Sequence, residues 1–245
     1  MKASPQMQSR LLELQELDTT LAQLDHRMRS LPEQVDITRM EGEAPGLEAD
    51  VVRTGTEVGD LEREVAKAEA AVQQVRDRAA RDQQRLDAGT GSAKDLQGLQ
   101  HELESLARRQ GVLEDEELEV MERVEQAQAA ERNATTARDE HAARLAELRA
   151  VRDEKAAGIT AEREQVAAGR EAIVADLSDE LVALYERMRA QTGSGAAPLQ
   201  QRRCGGCRLE LNAVDLGRIA AAAEDEVVRC EECGRILVRT AESGL

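Results

Sequence analysis

Asp87-Ala88-Gly89-Thr90-Gly91-Ser92 separates two long runs of regularly spaced apolar residues. Two glycines close together, followed by a serine placed to cap what comes next, spell a tight helix–helix turn. Upstream, Val58, Leu61, Val65, Ala68, Val72, Val75, Ala79 and Leu86 recur at spacings of three and four, with Asp82 taking one of the places. Downstream, Leu96, Leu99, Leu103 and Leu106 restart the repeat, which runs on through Leu113, Val120, Val124, Ala127, Ala134, Leu145 and Leu148. That 3-4 alternation is the seam of a coiled coil, in which one apolar stripe per helix faces a partner helix.

Working outward, Leu14, Leu17, Leu21, Leu24, Met28 and Leu31 carry the same spacing near the N-terminus until Pro32 stops or kinks the helix,. Gly42 and Pro45-Gly46 make 32–46 the least regular part of this half. On the far side Val166, Ile173, Leu177, Leu181, Leu184 and Met188 continue with a looser period, the mark of a stutter,. Residues 7–88 and 93–190 would each give a helical arm, about 120 Å and about 147 Å long at ~1.5 Å per residue. The expectation is a mainly α chain. Residues 1–191 form a long antiparallel coiled-coil hairpin with its turn near 88–92. An intermolecular coiled coil also fits the repeat, so monomer and dimer both stay open. Polar residues at seam positions (Gln110, Glu117, Glu131, Arg138, His141) weaken the middle of the hairpin, and His26, His101 and His141 stand isolated from any second ligand.

Composition agrees with extended helices. Of 245 residues a third are charged, and Tyr185 is the single aromatic, where a thick core would use several. The formal net charge is −16. Nearly all of it lies in residues 1–198, so the hairpin should repel phosphate, and no membrane partner is expected. No stretch approaches ~20 consecutive apolar residues, and Met1-Lys2-Ala3-Ser4-Pro5-Gln6 has no apolar run of a signal peptide,. The expected location is the cytoplasm.

Thr192-Gly193-Ser194-Gly195-Ala196-Ala197-Pro198 has the composition of a linker, assigned to 192–199,. Residues 200–245 follow as a separate unit. Here Cys204-Gly205-Gly206-Cys207 and Cys230-Glu231-Glu232-Cys233 stand 22 residues apart. Each pair can form a knuckle presenting two thiolates, and four thiolates around one tetrahedral Zn²⁺ leave no position open for substrate or water. In a reducing compartment such pairs hold metal rather than disulfides. The expectation is one structural zinc held by Cys204, Cys207, Cys230 and Cys233. Asn212 is placed to cap a short helix over 213–219, and 209–211, 227–229 and 235–238 supply short strands. So small a unit folds only with its metal.

Two stretches resemble one family. Lys94-Asp95-Leu96-Gln97-Gly98-Leu99-Gln100-His101-Glu102-Leu103-Glu104-Ser105-Leu106 resembles the start of the second long helix in bacterial C4-type zinc-ribbon/coiled-coil proteins. Cys204 to Cys207, and Val228-Arg229-Cys230 through Cys233-Gly234-Arg235-Ile236-Leu237, resemble their zinc ribbon. The chain departs in Val238, where an aromatic often follows, and in Glu231, where proline is common. The resemblance implies a helical hairpin with a terminal zinc ribbon. It also implies a regulatory role: relatives act as adaptors for an alternative sigma factor and for flagellar or secretion components, and one binds messenger RNA.

No nucleophile–base pair, phosphate loop or paired carboxylates stand out, so the chain reads as a non-enzymatic adaptor or chaperone that docks protein partners. The competing reading is a nucleic-acid-binding regulator. For it, Arg202, Arg203, Arg208, Arg229 and Arg235, with Arg239, would form a basic face on the ribbon. Against it stand the neighbouring acids Glu210, Glu224, Asp225, Glu226, Glu231 and Glu232, and the missing aromatics on which single-stranded bases stack.

Overall fold

The computed structural model describes residues 1–245. Its elements in chain order are α1 (Pro5–Arg29), α2 (Pro32–Asp87), α3 (Ala93–Ala175), α4 (Asp179–Thr192), β1 (Ala196–Gln200), β2 (Arg203–Cys204), α5 (Ala213–Ala221), β3 (Val228–Arg229) and β4 (Ile236–Arg239). The chain divides into two units, Val35–Arg149 and a second built from Met1–Gln34 with Ala150–Leu245.

The first unit is the helical hairpin of α2 and α3. Between them Gly89 and Gly91 take φ of +61° and +133°, left-handed backbone in which glycine pays no Cβ penalty. Ser92 and Asp95 then cap α3 reciprocally. The Asp95 carboxylate accepts from the Ser92 amide at 2.9 Å, and Ser92 Oγ accepts from the Asp95 amide at 3.3 Å, the capping-box pattern. Val58 and Leu61 pack on Val124 and Ala127, and Ile37 and Met40 on Leu145 and Leu148. Ion pairs Arg76–Glu114 (2.6 Å), Arg123–Glu64 (3.2 Å) and Arg149–Glu41 (2.5 Å) flank the seam. In each set the number on α3 falls as that on α2 rises, which makes the pairing antiparallel and within one chain.

The irregular stretch expected at 32–46 is instead helical, and α2 runs through Pro45. The ring removes one amide donor, yet apolar anchors on both sides (Ile37 and Met40, then Val58 and Leu61) hold the helix in its seam. The cost of about 3 kcal/mol is therefore spread over a helix fixed by tertiary packing, as is usual for long helices.

In the second unit α1 packs antiparallel on the last part of α3. Asp25–Arg163 (2.8 Å) bridges the two helices, Arg10 pairs with Asp176 (2.7 Å) just past the end of α3, and Lys155 of α3 pairs with Glu33 at the start of α2. The expected single arm over 93–190 breaks at 176–178: α3 ends at Ala175, and α4 begins after Ser178 with Asp179 and Glu180 favourably placed in its first turn,. This break is the physical form of the stutter.

Residues 196–199, expected within the linker, join Gln200 to form β1, an interior strand of a four-stranded sheet ordered β2-β1-β4-β3. β1 runs parallel to β4, and the remaining pairs are antiparallel. The alternation of a strand decides what each face meets. Ala196, Ile236 and Val238 turn towards Leu11, Leu14, Leu177, Leu181 and Tyr185 of the helices. Ala197, Leu199 and Leu237 turn towards Leu216 and Ile219 of α5 and towards Cys204 and Cys230. The small residues that looked like a linker are needed for contact. A Cβ on Gly195 would lie 2.4 Å from Tyr185 Cδ2 and 2.6 Å from the Tyr185 carbonyl oxygen. The stretch 209–211 contributes only one bridge, Glu210 with Arg203, rather than a strand. At the sheet's other edge the first residues of the chain add a short extended segment, with Ala3 N–H to Asp225 O at 2.8 Å and Val227 N–H to Met1 O at 3.1 Å. No helix is long and apolar enough to cross a membrane.

Candidate metal centre

The two knuckles share one local geometry. The Cys204 amide donates to Leu209 O (3.0 Å) and the Arg208 amide to Cys204 O (2.7 Å); the Cys230 amide donates to Arg235 O (2.9 Å) and the Gly234 amide to Cys230 O (2.8 Å). Each loop is thereby curled so that both of its sulfurs face inward. Arg208 and Gly234 occupy equivalent places, with φ of +65° and +76°. That backbone suits glycine and strains arginine.

The Sγ atoms of Cys204, Cys207, Cys230 and Cys233 all lie within 4.8 Å of one another. Cys204 and Cys233 are 3.8 Å apart, and Cys207 and Cys230 are 3.9 Å apart. Tetrahedral coordination at a Zn–S distance of about 2.3 Å puts sulfurs roughly 3.8 Å apart, so this cage has the size of a ZnS₄ centre and is too wide for an S–S bond. Cys204 and Cys230 are buried, and Cys207 and Cys233 partly so. Burial pushes the Cys204 thiol up, and pushes that of Cys230 up to about 12. At Cys233 burial is again the largest single influence, but hydrogen bonds from the Arg235 amide and side chain, together with those from Cys230 and Cys207, lower the thiol to about 7. Bound zinc supplies the positive charge that keeps all four as thiolates, and with four protein ligands the site is closed. One structural zinc per chain follows.

The arginines expected on a basic face are split by the structure. Arg202, Arg203 and Arg208 are exposed around the first knuckle, with Arg203 3.5 Å from Glu210. Arg229 is exposed but bent back, donating to Gly234 O (2.9 Å) and towards Met188 Sδ (3.4 Å). Arg235 lies partly buried, its Nε 2.5 Å from Ser194 Oγ and a terminal nitrogen 2.5 Å from Thr192 O. Arg239 fans onto the carbonyls of Ala222 (2.9 Å), Ala223 (2.7 Å), Glu224 (3.0 Å) and Glu226 (3.0 Å). There it neutralises the C-terminal end of α5 and the loop after it. Three of the six are therefore part of the scaffold, and no single basic face assembles.

The sequence reading missed a polar cluster between α1, α3 and α4. Asp18, only 1% exposed, accepts from Arg170 (2.8 Å) and lies 3.1 Å from Arg189. Gln15 Oε1 accepts from the Gly195 amide at 2.7 Å, joining this cluster to the start of β1. A signal was present: Leu11, Leu14 and Asp18 follow the 3-4 spacing, so an acid occupied a seam position.

Comparison with known proteins places both parts. The model of the CT398-like coiled coil hairpin domain matches residues 14–193, and that of the C4-type zinc ribbon domain matches residues 203–237. The Mycobacterium tuberculosis (strain ATCC 25618 / H37Rv) protein Rv2229c is 42% identical over 239 residues, 98% of each chain. A solved structure from Mycobacterium smegmatis, 41% identical, superposes with a TM-score of 0.79 over 98% of this chain and 100% of that one. The structure of CT398 from Chlamydia trachomatis, 18% identical, shares the fold with a TM-score of 0.58 over 96% of this chain and 98% of that one.

Proposed function

The chain belongs to the CT398-like coiled-coil hairpin family with a C4-type zinc ribbon, and on that premise we propose that it is a non-enzymatic regulatory adaptor or chaperone that docks protein partners. The observation that carries this reading is the outer face of α5. In a chain one-third charged, Ala213, Val214, Gly217, Ala220 and Ala221 are all exposed there, Val214 to 81%. Leu209, on the loop before α5, is 51% exposed. An exposed apolar helix face suits the centre of a protein interface, which is more apolar than its rim, and its small side chains leave room for larger ones from a partner. The acidic hairpin offers a long charged surface for further contacts. The closed zinc site serves as scaffold, and the protein works in the cytoplasm, where thiols stay reduced and free for metal.

A second reading, nucleic-acid binding, is favoured by one observation: Arg202, Arg203 and Arg208 are all exposed around the first knuckle. It is weakened by the structural use of Arg235 and Arg239 and by the balance of acids around them.

Capture from lysate of the source cell separates the two. Wild type, Val214→Glu and Cys230→Ser/Cys233→Ser are compared with and without nuclease. The adaptor reading expects a protein partner that survives nuclease and is lost with both variants. Capture that vanishes with nuclease, falls steeply with salt and ignores Val214→Glu would overturn it in favour of nucleic acid.

A further inference from the structure

Arg235 touches both zinc knuckles and the helical layer. Its side chain runs directly over Gly206 of the first knuckle: a Cβ there would meet Arg235 Cδ at 2.5 Å and Nε at 3.1 Å. Its own carbonyl closes the second knuckle by accepting from the Cys230 amide at 2.9 Å. Its guanidinium ends on Ser194 Oγ and Thr192 O, both at 2.5 Å. Thr192 is the last residue of α4, and its hydroxyl donates to Ser194 O (2.7 Å) or to Met188 O (2.9 Å). The anchor point is thus itself tied down. A planar guanidinium with several fixed donors can hold two acceptors at once while its stem covers apolar or backbone surface.

We propose that Arg235 is a positioning residue that straps the zinc site shut and couples it to the end of α4. Zinc leaves a closed four-thiolate site only after an incoming ligand reaches one of the sulfurs, and Cys207 and Cys233 are the two that are not fully buried. The strap crosses the knuckle that carries Cys207 and continues the chain from the knuckle that carries Cys233. Release of Arg235 from Thr192 and Ser194 uncovers the knuckle around these two partly exposed sulfurs and opens a wider approach to them. In the other direction, loss of zinc frees the knuckles from under the strap and loosens the α4–β1 connection, which is where the ribbon meets the helices. The glycine at 206 is then explained by the arginine at 235, and each requires the other.

The test is the rate of zinc transfer from the full-length chain to an excess of a chromogenic chelator, read by absorbance, at a temperature where circular dichroism shows every variant folded. Arg235→Met should speed transfer about 10-fold or more, in line with the ~10–100-fold loss of metal affinity that follows removal of an outer-shell partner. Arg235→Lys, with a single point donor, should fall between Arg235→Met and wild type. Ser194→Ala, which removes one anchor and touches no knuckle, should accelerate transfer more weakly. Arg239→Met, equally embedded in carbonyls but away from Gly206, is the control for stability alone and should transfer zinc at the wild-type rate. Hydrogen exchange should show the amides of 192–196 opening on zinc removal in wild type, and already open in Arg235→Met with zinc bound. Wild-type transfer from Arg235→Met, or equal acceleration by Arg239→Met, would overturn the proposal.

Discussion

The hydroxyl of Tyr185, the only aromatic residue of the chain, donates to the buried carboxylate of Asp18 at 2.6 Å. Tyr185 belongs to α4 and Asp18 to α1, and the tyrosine ring packs against the sheet face of Ala196, Ile236 and Val238. One side chain thus ties three layers together. Burial comes first, and the hydrogen bond to the Asp18 carboxylate second, in raising the Tyr185 phenol well above its ordinary range.

A sign follows from that shift. A phenol whose folded pKa lies above the unfolded value of about 10 gives stability that is whole below pH ~10 and is lost as pH rises towards the folded value. Tyrosinate absorbance should therefore stay low near pH 10–11 while the second unit is folded, then appear together with unfolding. A smooth titration centred near 10 in folded protein would contradict the contact. Tyr185→Phe should cost about 1.5–3 kcal/mol, the range for a hydrogen bond to a charged group, measured by urea denaturation of the second unit.

Two glycine substitutions should move stability in opposite directions. Gly195→Ala drives a methyl into Tyr185 and should destabilise by about 1–3 kcal/mol or more, as overpacking does. Gly217→Ala, in the exposed middle of α5 with open space around it, should stabilise by about 0.5–1 kcal/mol. Thermal unfolding of the zinc-loaded protein reads both, and like signs would refute the packing described at Gly195.

The paired knuckles make a further comparison. Gly234→Ala places a side chain at φ +76° and should destabilise by about 1–2 kcal/mol. Arg208→Gly relieves the same strain at φ +65° and should be neutral or stabilising by up to about 1 kcal/mol, offset in part by the added freedom of the unfolded chain. The chelator concentration at half-unfolding ranks the variants, and the reverse order would mean that the two loops are not equivalent.

Much of this structure was legible in the sequence because its signals were local. Gly89, Gly91 and Ser92 announced the turn, and the four cysteines announced the metal by spacing alone. What escaped depended on distant partners. Pro45 looked like a breaker because the packing of Ile37 and Met40 on Leu145 and Leu148 is invisible along the chain. Residues 196–199 looked like a linker because a strand that must fit against Tyr185 uses small residues too. Arg235 and Arg239 looked like ligands for phosphate because nothing in their neighbourhood announced the carbonyls of Thr192 or of the loop after α5. The charge of an arginine is local information, but its occupation is tertiary.

The metal centre is what closes both knuckles, and X-ray absorption at the zinc edge, with metal analysis of the same sample, probes it without an intermediary. The expected result is one zinc per chain with four sulfur ligands at about 2.3 Å, and loss of that zinc in Cys230→Ser/Cys233→Ser. A folded ribbon without stoichiometric zinc, or zinc held by nitrogen or oxygen ligands, would contradict it.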